Sequence, residues 1–387
     1  MGNYKRCIFH VPNHINPDGK SGSQVRPIKM LNAFINRGYE VDVIEGYGKE
    51  RKEAIKRIKK RIRQGIQYDF LYSESSTMPT LLTEKNHLPI YPLLDFGFFK
   101  FCRKYSIRIG LFYRDAIWKF DQYRKAVPLH YRIVTFLFYK YDLWQYKRLV
   151  DVLYLPSDRI GEYLPECRKM ERIVLPPGAE YNTEIVTERK NFFKSRGSED
   201  LNIFYVGGVS GIYDIIEFVK AIRDMENVSL TICCKKDEWD KEKKRYLPFL
   251  TKRIKIVHES KENLKKYYLK ADVCSCYFDI KEHKYMQLAI PVKLMEALSY
   301  VTPVIATRDC CAGDFVEKTN IGWTIPYERA AICSLLDRLL KDPEEIVSKH
   351  KNMLSCLQDN TWEQRVIQIE KELRREKENE RKIVKKD

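Results

Sequence analysis

Twelve short apolar runs, separated by longer segments with helical or polar patterning, constrain the fold of this chain more than any other feature. Six come early: "RCIFHV" (6–11), "EVDVI" (40–44), "DFLY" (69–72), "IRIGLFY" (107–113), "VLYLP" (152–156) and "RIVLP" (172–176). Six follow later: "LNIFYVGG" (201–208), "VSLTIC" (228–233), "RIKIVHE" (253–259), "DVCSCYF" (272–278), "PVIAT" (303–307) and "GWTIP" (322–326). Runs this short and this apolar suit strands buried on both faces. Strands alternating with helices imply parallel pairing through crossover connections, because a hairpin leaves no room for the helix. The expected class is α/β, with two doubly wound Rossmann-like halves. "LPPGAEYNTE" (175–184) punctuates the joint with Pro-Pro-Gly. The expected domains are 1–177, 178–358 and a C-terminal helix with a charged tail over 359–387. In that helix Trp362, Val366, Ile369 and Leu373 form an apolar stripe after a possible N-cap at Thr361.

The chain has 387 residues, 44% of them hydrophobic, which is enough for two cores. Its formal net charge of +17 favours anionic partners: phosphorylated ligands, an acidic membrane or nucleic acid. The eleven cysteines are scattered or adjacent, with no C-x-x-C, and read as free thiols in a reducing compartment. "MGNYKRCIFHVP" has no leader-like apolar region, and no run of 18 apolar residues occurs. The expected location is cytoplasmic, at most peripheral on the inner face of the cell membrane.

The segment "PVKLMEALSYVTPVIAT" (291–307) carries the chemistry. Pro291 suits a helix start, and Lys293 and Glu296, three apart, share a face near it. One reading is a surface ion pair of a few tenths of a kcal/mol. The other is a ligand grip. Lys293 and the helix N-terminus would face a diphosphate, and Glu296, a turn deeper, would accept hydrogen bonds from two vicinal ribose hydroxyls. The segment resembles the nucleotide-sugar motif of GT-B glycosyltransferases, specifically retaining family 4, over Pro291, Lys293, Glu296, Ala297, Leu298, Ser299 and Pro303–Ala306. Val301 stands where that family usually has Gly. Leu288 stands eight residues before Glu296, where many members have the first Glu of an E-x7-E pair that touches the donor sugar.

Other pieces resemble the family in order and spacing. "NIFYVGGVSGIYDIIEFVKAI" (202–222) is similar to its strand, glycine loop and helix. The resemblance implies donor-phosphate contacts from Gly207, Gly208, Ser210 and Gly211. The loop lacks the family's usual Arg and Lys, so Lys293, then Lys235 and Lys236, are the candidates to meet phosphate charge. "VLPPGAE" (174–180) resembles the interdomain linker. "CAGDFVEKTNIGWTIP" (311–326) resembles the segment after the donor motif. In the first domain the resemblance is one of architecture. It implies a glycine loop at Gly19 and Gly22 facing an interdomain cleft, with Gly22, Ser23 and Arg26 as acceptor-side candidates. It also places Arg114 and Asp115, in "FYRDAIWKF" (112–120), where members commonly have a His that touches the sugar. An ordinary βα loop, and a structural Arg–Asp pair, are the competing readings.

These features imply a GT-B retaining glycosyltransferase with a UDP- or GDP-linked sugar donor as substrate and Asp115, Arg114 and Lys293 as catalytic candidates. The expected acceptor is a glycan, lipid-linked, in cell-surface polysaccharide assembly. No D-x-D triplet occurs, so no metal is required, and no cofactor is expected. The aromatic and basic stretch at 123–149, "DFGFFKF" (95–101) and the basic helical run at 49–64 suit an anionic membrane surface. The alternatives are a basic nucleic-acid-binding protein, for which no RRM, KH, zinc-finger or helix-turn-helix signature is present, and a GT-B-type nucleotide-sugar epimerase.

Overall fold

The computed structural model describes residues 5–16, 22–195, 200–259, 261–281 and 283–384. The chain forms two compact units. One holds the residues up to Pro177 together with the helix from Trp362; the other is Gly178–Thr361.

In the first unit the strands are β1 (Arg6–His10), β2 (Glu40–Ile44), β3 (Phe70–Glu74), β4 (Arg108–Phe112), β5 (Val152–Leu155) and β6 (Glu171–Val174). They form one parallel sheet in the order β2-β1-β3-β4-β5-β6. Cys7 of β1 sits opposite Val41 and Phe70. All residues of β3 and β5 are buried, as a sheet covered on both faces requires. Phe9, Phe34, Phe70 and Tyr72 form a ring cluster on one face. The C-terminal helix (Trp362–Val384) closes that face. Trp362, Val366, Ile369 and Leu373 are all buried, and each contributes roughly 1.5–3 kcal/mol. Arg365 Nε donates to Pro176 O at 3.1 Å, and Lys5 Nζ and Tyr39 Oη donate to Glu370 at 2.7 and 2.8 Å. The helix therefore belongs to the first unit, although the second unit precedes it in sequence.

On the other face, helix Gly48–Arg63 buries Ile55, Ile58 and Ile62, the stripe visible in the sequence. Helix Leu94–Lys104 corrects one reading. Phe96, Phe98 and Phe99 are buried against its neighbours, so these three rings of "DFGFFKF" are core, and of its side chains only Lys100 and part of Phe101 reach the surface. Asp95, in its first turn, is also buried and takes both Arg51 Nε and His10 Nε2, at 3.0 and 2.9 Å.

In the second unit β7 (Leu201–Val206), β8 (Val228–Cys233), β9 (Ile254–Val257), β10 (Val273–Cys276), β11 (Val304–Thr307) and β12 (Gly322–Ile325) form a parallel sheet in the order β12-β11-β10-β7-β8-β9. The chain winds outward from β7 through β8 to β9, then returns to place β10 on β7's other side. The strand order thus reverses between β7 and β10. In open α/β sheets ligands bind outside the carboxyl ends of the strands at such a point. All eleven cysteines are free thiols, ten of them buried.

Candidate functional site

The loops leaving β7 and β10 meet at the reversal point, and Lys293 lies between them. Its helix, Val292–Ser299, starts at Pro291 and runs toward β11. The Lys293 ammonium is ringed by aromatic faces. Nζ is 4.4 Å from the Tyr205 ring centroid and 5.1 Å from those of Tyr213 and Phe278. It donates to Tyr205 Oη at 3.2 Å. Among the described residues no carboxylate lies within ion-pair range of it. Burial pushes its pKa down from 10.5 to about 8, against the opposing influence of Cys276 and Glu296. A lysine without a carboxylate partner, at the carboxyl end of a parallel sheet, is a ready counter-charge for an anion.

Gly207, immediately after β7, is what lets Nζ reach this place. A Cβ there would stand 3.0 Å from Nζ, and the residue has φ +151°. Glu296, one turn along the Lys293 helix, is partly exposed, and its Oε2 accepts from Tyr268 Oη at 3.4 Å. Tyr268 and Tyr300 stack in parallel beside it, with centroids 4.2 Å apart. Lys293 and Glu296 are therefore not a bare surface pair: each has its own set of aromatic neighbours.

The two departures from the family pattern have physical explanations. Val301 ends the helix with φ +50°, the left-handed conformation that glycine adopts most easily. Its side chain is fully buried, so core packing offsets the backbone cost. Leu288 is buried and offers no polar side-chain group at the position of the absent Glu.

The glycine loop is held by a residue that no local sequence pattern marks. Glu238, from helix Lys236–Tyr246, points its carboxylate into the loop. Oε1 accepts from the Val209 N–H at 2.9 Å and from Ser210 Oγ at 2.7 Å. A Cβ on Gly208 would meet the same oxygen at 3.0 Å. Tyr205 Oη donates to the Gly208 carbonyl, and the Gly207 N–H donates to Cys233 O at 3.0 Å. Of the loop donors expected to face phosphate, the Ser210 hydroxyl is thus taken by the protein's own carboxylate and the Gly207 N–H by a strand carbonyl. Gly211 turns the chain with φ +52°. Lys235 is exposed at the start of the Glu238 helix and forms no ion pair among the described residues. Replacing Glu238 by glutamine removes a negative charge beside the phosphate candidates. Affinity for a nucleoside diphosphate is expected to rise several-fold, with affinity for the bare nucleoside unchanged. Titration with both ligands checks this, and a fall for both would show the carboxylate to be a support for the loop.

The first unit builds a separate cluster at the ends of β3 and β4. Glu74 closes β3 and is fully buried. Its Oε1 accepts from Arg26 Nε at 3.1 Å and Tyr72 Oη at 3.0 Å; its Oε2 accepts from Arg114 Nη2 at 3.2 Å. Arg26 lies over the Phe112 ring at 3.5 Å. Arg114 also donates to the Ser75 carbonyl at 3.0 Å. Two candidates chosen for different roles, Arg26 and Arg114, are thus joined through one carboxylate, and neither pairs with Asp115 in the way an Arg–Asp bridge requires. Asp115 accepts from the Ile117 N–H at 3.2 Å, and burial raises its pKa to about 6. Gly22 and Ser23 open helix Gly22–Asn36; Gly19 lies outside the described residues. His10 is buried, with Nδ1 2.8 Å from Ser73 Oγ and Nε2 on Asp95, and joins the ends of β1 and β3.

Comparison with known proteins places this geometry in context. Residues 200–342 match the family model described as Glycosyl transferases group 1. No curated relative matches the chain in sequence. Among solved structures, sucrose-phosphate synthase from Thermosynechococcus elongatus superposes with a TM-score of 0.61 at 16% identity, covering 96% of this chain and 99% of that one. HepE from Anabaena, in complex with UDP-glucose, gives a TM-score of 0.60 at 9% identity over 96% and 99% of the two chains. WaaG, a glycosyltransferase involved in lipopolysaccharide biosynthesis, gives 0.56 at 12% over 95% and 99%. The fold is GT-B.

Proposed function

We propose that this protein is a retaining glycosyltransferase that moves a sugar from a nucleoside diphosphate to a hydroxyl of a glycan acceptor. The observation that carries the reading is Lys293: a cation with no carboxylate partner, held by Tyr205, Tyr213 and Phe278 at the sheet's reversal point, one turn from Glu296. This arrangement lies inside the segment that matches the glycosyl transferase family. The UDP and UDP-glucose held by HepE support a nucleotide sugar as donor.

In this scheme the bond between the anomeric carbon and the diphosphate oxygen breaks while the acceptor oxygen bonds to that carbon on the same face. The acceptor proton passes to a donor phosphate oxygen, so no side-chain base is demanded. Lys293 stabilises the charge that develops on the leaving diphosphate. Glu296 holds the ribose hydroxyls, and Gly207, Gly208, Ser210 and Gly211 border the phosphates, with Lys235 as a second cation. Asp115 is kept as the contact to the transferred sugar, and Arg26 and Arg114 become supports built on Glu74. No metal or resident cofactor enters the scheme. The acceptor is a lipid-linked glycan in cell-surface polysaccharide assembly; the likeness to WaaG, involved in lipopolysaccharide biosynthesis, supports this.

Glu296→Ala tests the reading. Loss of its charge-assisted hydrogen bonds to a diol weakens nucleotide binding by roughly 2–4 kcal/mol. Calorimetric titration of the folded variant with UDP and GDP measures the effect, and unchanged affinity would remove the carboxylate from the site.

A further inference from the structure

Helix Leu129–Leu149 is two different helices in one. Its second half packs inward through Tyr139, Asp142, Leu143 and Tyr146. Its first half buries no residue. There Leu129, Tyr131, Ile133, Val134, Phe136 and Leu137 are between 48 and 64% exposed. At 100° per residue these six side chains spread around more than half of the helix circumference. Of the sixteen large apolar side chains exposed among the described residues, eleven fall between Leu88 and Trp144, and six of these lie on the 129–137 half-helix. A groove or a second protein covers one face of a helix. The rest of the circumference holds Arg132 and Thr135, the latter bonded to Tyr123 Oη at 2.7 Å, so this edge rests on the protein while an apolar arc wider than one face is left to sink into a bilayer interface.

The neighbouring helices supply the charge. Helix Leu94–Lys104 touches helix Leu129–Leu149 through Phe96, whose ring is 5.6 Å from Tyr141. On its other flank Lys59 of helix Gly48–Arg63 lies 5.1 Å from the Phe101 ring. The three helices thus lie side by side. Helix Gly48–Arg63 exposes Lys49, Lys52, Lys56, Arg57, Lys60 and Arg63, and among the described residues none of these six forms an ion pair. Among the described residues no helix is long and apolar enough to cross a membrane.

We infer that this face docks on an anionic lipid bilayer. The 129–137 tip inserts among the acyl chains, and the exposed cations of helix Gly48–Arg63 meet lipid phosphates. The inference does not rest on glycosyl transfer and stands or falls by itself.

The test is flotation of the full chain with phosphatidylcholine vesicles, with and without about 30% phosphatidylglycerol. Two variants accompany the wild type: Ile133→Ser/Phe136→Ser/Leu137→Ser and Lys52→Gln/Lys56→Gln/Arg57→Gln. Wild type is expected to float with anionic vesicles and weakly with neutral ones. Both variants should partition about tenfold less at low salt. The deficit of the charge variant should vanish at high salt, and that of the apolar variant should persist. Brominated lipid should quench Trp144 in the wild type, with Trp144→Phe as the blank, which reads insertion without relying on either triple variant. Equal flotation of the apolar variant, or no quenching, would overturn the inference. So would a concentration-dependent dimer that the apolar variant abolishes, or RNA binding that needs the cations and not the tip.

Discussion

Lys293→Met is expected to weaken nucleoside diphosphate binding about a hundredfold and to raise the thermal midpoint of the protein. The two effects have one cause. The ammonium is held among Tyr205, Tyr213 and Phe278 without a carboxylate, and this environment lowers its pKa from 10.5 to about 8. Below pH 8 both the folded and unfolded states carry the proton, and the folded state bears the full cost of the charge. Between pH 8 and 10.5 the unfolded chain binds more protons than the folded one, so wild-type stability should rise with pH across that window. The methionine variant should show no such rise from this position. At pH 7 its gain in stability is up to about 3 kcal/mol, since one pKa unit corresponds to about 1.4 kcal/mol. Binding moves the other way. Losing a charged donor to phosphate costs about 3 kcal/mol, or roughly two orders of magnitude in affinity. In the wild type the nucleotide affinity should be flat below pH 8 and fall above it as the amine becomes neutral. Denaturation and titration across pH 6–10 check both halves. A variant that binds normally, or that is destabilised, would show that the lysine serves packing.

Glu74→Ala should strongly destabilise the first unit. It leaves the Arg26 and Arg114 guanidiniums buried with their shared counter-charge gone, at a cost of about 3–5 kcal/mol. Glu74→Gln keeps the shape and removes the charge, and should retain only part of the loss. Urea unfolding followed by far-UV circular dichroism measures both. A change below about 1 kcal/mol for the alanine variant would mean that the two arginines find other partners or water.

The strands were legible because a short apolar run between helical segments has few other uses. Of the candidate site, the positions close in sequence were legible: Lys293 and Glu296 on one helix, and Gly207 at the end of an apolar strand. The two carboxylates that organise the sites were not. Glu238 meets Ser210 from 28 residues away, and Glu74 meets Arg26 and Arg114 across 48 and 40. No local pattern encodes such pairings; only the order of strands in the sheet brings them together. The same limit explains the 95–101 segment. A run of phenylalanines shows that a helix buries a face, and the neighbours that cover it come from elsewhere in the chain.

We propose that the second unit grips a nucleoside diphosphate at Lys293 and Glu296. Calorimetric titration of the full chain with UDP, GDP and a short DNA duplex, at low and high salt, tests it most directly. One nucleotide should bind at a single site, and Glu296→Ala should weaken that binding by roughly 2–4 kcal/mol. A protein that binds neither nucleotide, and binds the duplex with an affinity that falls steeply with salt, would contradict the account.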